Sequence, residues 1–373
     1  MDIDLVYTWV DGNDTKWQEE KSKWEQELNF PDSALNKCRY IDNEELRYSL
    51  RSVYYNAPWI NKIYIITNGQ IPKWLDISHP KIQIINHSEI MPYEALPTFN
   101  SEAIETCLAN IDGLSEYFIY ANDDFFVYKQ VAEDFFFNSK GEPILRLVPQ
   151  NWKERNYIKN LYCYNINYSI KLVANKFGKE YHYEICHNIM PYRKSYFLAC
   201  RECFKEYFEK TTFAKFRQKD SVQRIIIDLY TLAIGRGELK TSKMRSKYFK
   251  IETAYIGLSD RKKMKKRLKI NSPTLFCIND NENAINMNRK NLAGFLESMF
   301  PKPAPWEKKC EIKRIKTHKR IKKNFKYIKI YSKIYARYRL YKFLSYITFG
   351  SIQSFCIRKY TFLKNKIKII RDL

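Results

Sequence analysis

The stretch YFIYANDDFFV, Tyr117 to Val127, ends an apolar run on Asn122, Asp123 and Asp124 and then resumes with two phenylalanines. Ionised carboxylates beside so much aromatic surface are costly unless a partner or a cation compensates them. Adjacent Asp residues at a strand end suit a hard divalent ion, Mg2+ or Mn2+, shared with phosphate oxygens. A solvated turn is the plain alternative. Arg47 and Arg51 stand one helical turn apart and carry guanidinium forks of the kind that grip phosphate bidentately. Otherwise they pair with nearby acids such as Glu44. His187, in EICHNIMPYRK, is a candidate general base for an attacking hydroxyl, although a lone histidine is more often packed or exposed. Arg217, in TTFAKFRQKD, and Asn279 with Asp280, in LFCINDN, carry phosphate or metal chemistry only in company with the others.

For these side chains to meet, distant segments must converge. IDLVYTWV (3–10), KIYIITNG (62–69), KIQIIN (81–86) and YFIYA (117–121) have strand character. Between them, DNEELRYSLRSVYYNAP (42–58) and LPTFNSEAIETCLANI (96–111) have helical periodicity. Asp42, with Glu45 three residues on, has the pattern of a capping box, and Asn100 or Ser101 caps the second helix. Alternating strands and helices predict an α/β fold with a mostly parallel sheet. Ligands of such sheets lie beyond the carboxyl ends of the strands. Asp11–Asp14, Asn68–Gln70, His87 and Asn122–Asp124 all fall there. Residues 138–185 read as an insertion of short strands rich in Tyr. KSYFLACRECFKEYFEK (194–210) and DSVQRIIIDLYTLAIGRG (220–237) read as helices, and SPTLFCINDNEN (272–283) as a strand ending in polar residues. Three prolines in FPKPAPWEK (300–308) mark an expected domain boundary after residue 306.

At this level the chain resembles the Stealth family of hexose-1-phosphate transferases, which includes bacterial capsule enzymes and the animal enzyme that tags lysosomal glycoproteins. Four blocks carry the resemblance. They are IDLVYTWVDGND (3–14); ELRYSLRSVYYNAPWINKIYIITNGQIPKWL (45–75) with LPTFNSEAIE (96–105) and FIYANDDFF (118–126); HNIMPYRKS (187–195) through TTFAKFRQKD (211–220); and LFCINDN (275–281). The resemblance implies a Rossmann-like domain of the glycosyltransferase-A type. It also implies transfer of a hexose-1-phosphate, an N-acetylhexosamine with N-acetylglucosamine (UDP-GlcNAc as donor) the family's commonest theme, from a UDP-sugar to an acceptor hydroxyl with release of UMP. By motif, His187, Arg217 and Asp124 are expected to be catalytic, and Asp123, Asp124 and Asp280 to hold Mg2+ or Mn2+. Asp11, Arg47, Arg51, Asn68, Asn100, Ser101 and Asn279 are expected on the donor and its phosphates. One departure stands out: the family's third block reads His-x-Pro-x-Pro, and Ile189 occupies the first proline position here.

Charge separates the chain into two parts. From Glu307 onward there are 21 Lys/Arg against 3 Asp/Glu, whereas residues 1–306 hold 44 against 38. Residues 1–306 are therefore expected to be the catalytic domain, and 307–373 a basic amphipathic tail. Lysines and arginines interleaved with Tyr, Ile and Phe favour an anionic membrane surface, and no nucleic-acid recognition motif accompanies them. The N-terminus lacks a basic region and cleavage site of the secretory kind. The longest uncharged tail segment, FLSYITFGSIQSFCI, has 15 residues, short of the roughly 20 that span a bilayer. Together these predict a cytoplasmic enzyme held at the inner face of the membrane, where lipid-linked or glycan acceptors of surface-polysaccharide synthesis are found. A metal-dependent glycosyltransferase releasing UDP, and an inactive membrane-associated binding protein, are the alternatives. Nine irregularly spaced cysteines read as buried thiols.

Overall fold

The computed structural model describes residues 1–27, 40–149, 161–241, 244–246, 249–250, 253–257, 261–280 and 286–308, with helical residues at 336–341, 343, 357–359, 361 and 363. The elements run β1 (Ile3–Thr8), α1 (Thr15–Glu27), α2 (Glu45–Asn56), β2 (Ile63–Thr67), β3 (Ile82–Asn86), α3 (His87–Ile90), α4 (Ser101–Glu105), β4 (Tyr117–Asn122) and β5 (Phe125–Val127). Then come β6 (Ile144–Pro149), α5 (Leu161–Phe177), β7 (Tyr183–Ile185), β8 (Met190–Arg193), α6 (Lys194–Cys203), α7 (Lys205–Thr212) and α8 (Ile225–Ala233). The last are β9 (Glu238–Thr241), β10 (Met244–Ser246), β11 (Phe249–Lys250), β12 (Thr253–Gly257), α9 (Arg261–Asn271), β13 (Leu275–Asn279) and α10 (Asn286–Met299).

The central sheet has the order β3-β2-β1-β4-β8. Its first four strands are parallel, and β8 is antiparallel to β4. Successive side chains of a strand point to opposite faces, and both faces here are buried. Val6, Tyr64, Ile66, Phe118 and Tyr120 enter one core with residues of α4, α5, α6 and α8. Leu5, Tyr7, Ile63, Ile65, Ile119 and Ala121 enter another with Leu46, Leu50 and Val53 of α2. Burying one such side chain contributes about 1.5–3 kcal/mol, so the sheet is a rigid platform for whatever leaves its edge. A second sheet, β10-β11-β12-β13-β5, abuts the turn after β4, and β7-β6-β9 form a third. The mostly parallel, helix-flanked sheet is thus as the residue pattern predicts, and the Rossmann-like fold as the family resemblance implies.

Several local expectations are corrected. Asp42 does not cap α2: Glu44 precedes the helix with φ 66° and no side-chain cap. Asp42 instead accepts the Glu44 N–H, and Glu45 accepts the Asn43 N–H at 2.6 Å, which leaves two acids gathered at the mouth of the helix. The supposed insertion contains α5, whose Ile166, Ile170 and Val173 share the central core; its spacing is helical, and tyrosine content concealed it. The expected 194–210 helix breaks at Phe204, where φ is −121°. The proline-rich segment 300–308 packs onto the folded unit. Trp306 and Glu307 are buried, the Asp76 N–H donates to the Trp306 carbonyl and the Lys308 N–H to the Trp74 carbonyl.

The chain forms two compact units, Met1–Ala284 with Asn291–Lys308, and Ile285–Lys290 with Lys309–Leu373. The first holds every candidate residue, and its edge falls at 308, two residues beyond the proline-based expectation. Most of the predicted basic amphipathic tail lies outside the described residues. The helical residues described there include exposed Leu340, Phe343 and Ile357. Among the described residues no helix is long and apolar enough to cross a membrane.

Candidate active site

Three chain segments meet at the carboxyl end of β4. Asp123 and Asp124 form the turn between β4 and β5. The turn is fixed from below, because Ser49 of α2 donates to the Phe125 carbonyl and bonds the Tyr7 hydroxyl at 2.6 Å. β5 pairs antiparallel with β13, Phe125 opposite Cys277, and the Ile278 N–H donates to the Asp124 carbonyl at 3.1 Å. That register carries Asn279 and Asp280 alongside the acidic turn. β8 pairs antiparallel with β4, Met190 opposite Tyr120; the same register continued for three residues brings His187 level with Asp123. The His187 ring meets Phe125 edge-on at 5.0 Å, and its Nε2 lies 3.4 Å from Asn279 Nδ2. Ile189, at the variant proline position, is buried in the core beside Phe125. Burial anchors this loop where a ring would have stiffened it.

The electrostatics are those of gathered like charges. Burial pushes Asp124 and Glu45 each up to about 8, with Glu45 charge adding at Asp124 and Asp123 charge adding at Glu45. Burial, then Asp124 and Asp42, hold Asp123 well above the usual range. Asp42 rises to about 6 through burial, opposed by bonds from Glu44 and Trp9 and reinforced by Asp11. Oxygen ligands of Asp42, Glu45 and Asp123 lie within 4.8 Å of one another, as do ligand atoms of Asp124, His187 and Cys277. The first trio is all carboxylate and matches a hard divalent ion; the second mixes imidazole and thiol and does not. Asp124 Oδ1 and Asn122 Oδ1 are buried without a hydrogen-bond partner, as acceptors awaiting a cation or donor would be. A bound cation would invert these shifts.

The other expected residues divide. Asp11 lies on this rim. Its loop is tied to that of Asn68 by paired bonds with Gln70, at 2.9 and 3.1 Å. A Cβ on Gly12 would stand 1.9 Å from the Tyr40 carbonyl oxygen, so only glycine lets this loop close on the Tyr40–Asp42 segment. Asp280 follows Asn279 but belongs to neither ligand group. Arg217 bonds Ser101 Oγ at 2.6 Å and approaches Glu102 at 3.5 Å. Asn100 is fully buried, and its amide donates to the Ala214 and Phe216 carbonyls, which props the Arg217 loop. Arg47 and Arg51 turn to acids of their own folded unit. Both guanidinium groups bond Glu307, and Arg51 also bonds Glu297 and the Phe300 carbonyl. With its side chain 3% exposed, Arg51 clasps the 300–308 segment.

Asp42, Glu45 and Cys277 are residues of these clusters that the motif reading missed. The helix-start pattern disguised the two acids as a cap, and Cys277 sat unremarked inside an apolar strand. Glu45 and Asp123 differ by 78 positions, so only the sheet brings them together.

The sequence matches Stealth protein conserved region 1 over residues 1–28, conserved region 2 over 39–145 and conserved region 4 over 266–314. It is similar to the capsular polysaccharide phosphotransferase fcs1 of Haemophilus influenzae, 33% identical over 305 residues, covering 80% of this chain and 84% of that protein. It is also similar to the capsular polysaccharide phosphotransferase SacB of Neisseria meningitidis serogroup A, 34% identical over 326 residues. There it covers 83% of this chain and spans only 57% of the SacB length. This chain belongs to the Stealth family. The block at 187–220 lies outside the three matched regions. Among solved structures, the galactosyltransferase LgtC aligns over 81% of this chain and 98% of its own, at 10% identity and a TM-score of 0.38.

Proposed function

We propose that this protein transfers a hexose-1-phosphate, an N-acetylhexosamine-1-phosphate for preference, from a UDP-sugar to a saccharide hydroxyl in bacterial capsule or surface-polysaccharide synthesis. The acceptor oxygen forms a bond to the sugar-bearing phosphorus, and the bond from that phosphorus to the bridging oxygen breaks. UMP leaves, and the new phosphodiester keeps the configuration of the sugar because its anomeric C–O bond is untouched. What carries this reading is the meeting of the acidic turn, His187 and Asn279 at one strand end, in a chain whose relatives are named phosphotransferases.

In this reading His187 takes the proton of the attacking hydroxyl. Phe125 against one ring edge and Asn279 at Nε2 hold the imidazole in place. Asp42, Glu45 and Asp123 would hold Mg2+ or Mn2+, with Asp124 at the reacting phosphate. When bound, the ion neutralises diphosphate and phosphoryl charge, where catalysis is chiefly positioning and electrostatics. Arg217, kept oriented by Ser101, serves as a second cation for the donor phosphates, and Asp11, Asn68 and Asp280 border the donor.

Purified protein given a panel of UDP-sugars with a saccharide acceptor should release UMP, read by ion-exchange chromatography. Release of UDP would make it a glycosyltransferase, and no release would make it a binding protein. The tail is proposed to hold the enzyme on anionic lipid at the inner face of the membrane. Because Glu307 and Lys308 belong to the catalytic unit, deletion should begin at 309. Removing 309–373 is expected to move the protein to the soluble fraction with turnover of a soluble acceptor retained; persistent sedimentation with membranes would defeat the tail's role.

A further inference from the structure

We propose that α9 is a binding rail for an anionic saccharide chain, the phosphodiester-bearing acceptor, at the rim of the candidate site; this rests on the transferase reading above. The modest charge of residues 1–306 conceals a strong asymmetry. Residues 236–271 hold 13 Lys/Arg against 3 Asp/Glu, and the remainder of 1–306 holds 31 against 35. Helix α9, RKKMKKRLKIN, has seven cations among its 11 residues and no acid. Met264 and Leu268 are buried against Phe126, Phe276 and Ile278, while Arg261, Lys262, Lys263, Lys265, Lys266 and Lys269 are exposed.

This arrangement opposes helix stability. Arg261 and Lys265, Lys262 and Lys266, Lys263 and Arg267, and Lys265 and Lys269 are like charges four residues apart. Three of the cations also crowd the helix N-terminus, where the macrodipole disfavours positive charge. An anionic ligand relieves both.

Topology puts that ligand near the chemistry. α9 is the crossover between parallel strands β12 and β13, and Gly257 lies opposite Asn279. The chain therefore leaves β12 at the level where Asn279 meets His187, and α9 starts four residues later. The helix then runs back from the rim for about 16 Å. Each transfer in the proposed reaction leaves one phosphodiester charge on the product, so a growing acceptor is a polyanion complementary to this row. A membrane fits less well. A helix lying in a bilayer interface buries its apolar face in lipid, whereas that of α9 is already packed inside the protein, leaving Ile270, 65% exposed, as its one exposed large apolar side chain.

The test is full-length R261Q/K265Q/K269Q, which neutralises one exposed face. Its Tm should equal or exceed that of the wild type, since repulsion is removed. KM for an oligosaccharide bearing several phosphodiesters should rise about tenfold, equivalent to about 1.4 kcal/mol, with kcat, the UDP-sugar KM and the KM for a phosphate-free acceptor unchanged. Added NaCl should weaken the wild type more than the variant. An unchanged KM for the charged acceptor, or an equal rise for the neutral one, overturns the proposal. Fluorescence anisotropy with a labelled phosphodiester-linked oligosaccharide reads the same site without turnover: loss of binding in the variant supports the rail even if no UMP is ever released. If the variant keeps the oligosaccharide but loses phosphatidylglycerol vesicles, the rail is a membrane contact and the proposal falls.

Discussion

Two groups of buried and half-buried charge lie within one folded unit and differ in sign balance. Around Arg51, two cations and two acids neutralise each other: Arg47 and Arg51 with Glu307 and Glu297. The Glu307 carboxyl is held below its usual range by bonds from Arg51, the Ala304 N–H and Arg47, against the opposing effect of burial. Around Asp123, four acids gather, their carboxyls are raised, and Asp124 Oδ1 has no hydrogen-bond partner. The first group is complete, and it holds a segment down. The second is complete only when protonated or bound to a cation, which is how a functional site differs from a clasp.

Breaking the acidic centre should have the largest effect. His187→Ala and Asp124→Ala are each expected to lower UMP release by about 10²–10³-fold or more, with the circular dichroism spectrum unchanged; near-normal turnover in either would show that the roles are misassigned. The clasp should fail in the opposite manner. Arg51→Ala leaves the buried Glu307 carboxylate with only Arg47 and the Ala304 N–H and should cost about 3 kcal/mol in urea unfolding, independent of added metal. A variant as stable as the wild type would erase the distinction between the two groups.

The subtlest prediction concerns pH. Glu45 ordinarily titrates at 4.5 and is raised to about 8 by burial and by Asp123, so the metal-free folded state holds this proton more tightly than the unfolded one. The associated stability is fully present below the ordinary value and is lost as pH rises toward 8. Glu45→Gln should therefore raise the metal-free Tm at pH 8, leave it nearly unchanged at pH 4, and shrink the gain produced by Mg2+. If Mg2+ raises the Tm of wild type and variant alike at pH 8, the carboxylate trio does not hold the ion.

Much of the fold was legible because a parallel sheet buried on both faces leaves an unmistakable pattern: β1, β2, β3 and β4 are short apolar runs that end in polar turns. The NDD turn was legible for the same reason, since carboxylates beside Phe125 and Phe126 demand an explanation. Arg47 and Arg51 were misleading, because a guanidinium one turn from another is the same string whether it faces phosphate or Glu307, some 260 positions away. Asp42 and Glu45 were misleading because a cap and a free carboxylate are the same string, and only the φ of Glu44 shows that they do not cap the helix.

By itself the sequence determined the strand–helix alternation, the edge of the sheet to which polar turns are delivered, and the family to which the motifs belong. Those follow from local periodicity and turn chemistry, which act over a few residues. Only the tertiary structure decided which acids face one another, which arginines are already paired, and that the strand leading to a basic helix ends opposite Asn279. Charges interact through space, and their sum at a point depends on every segment the fold brings there.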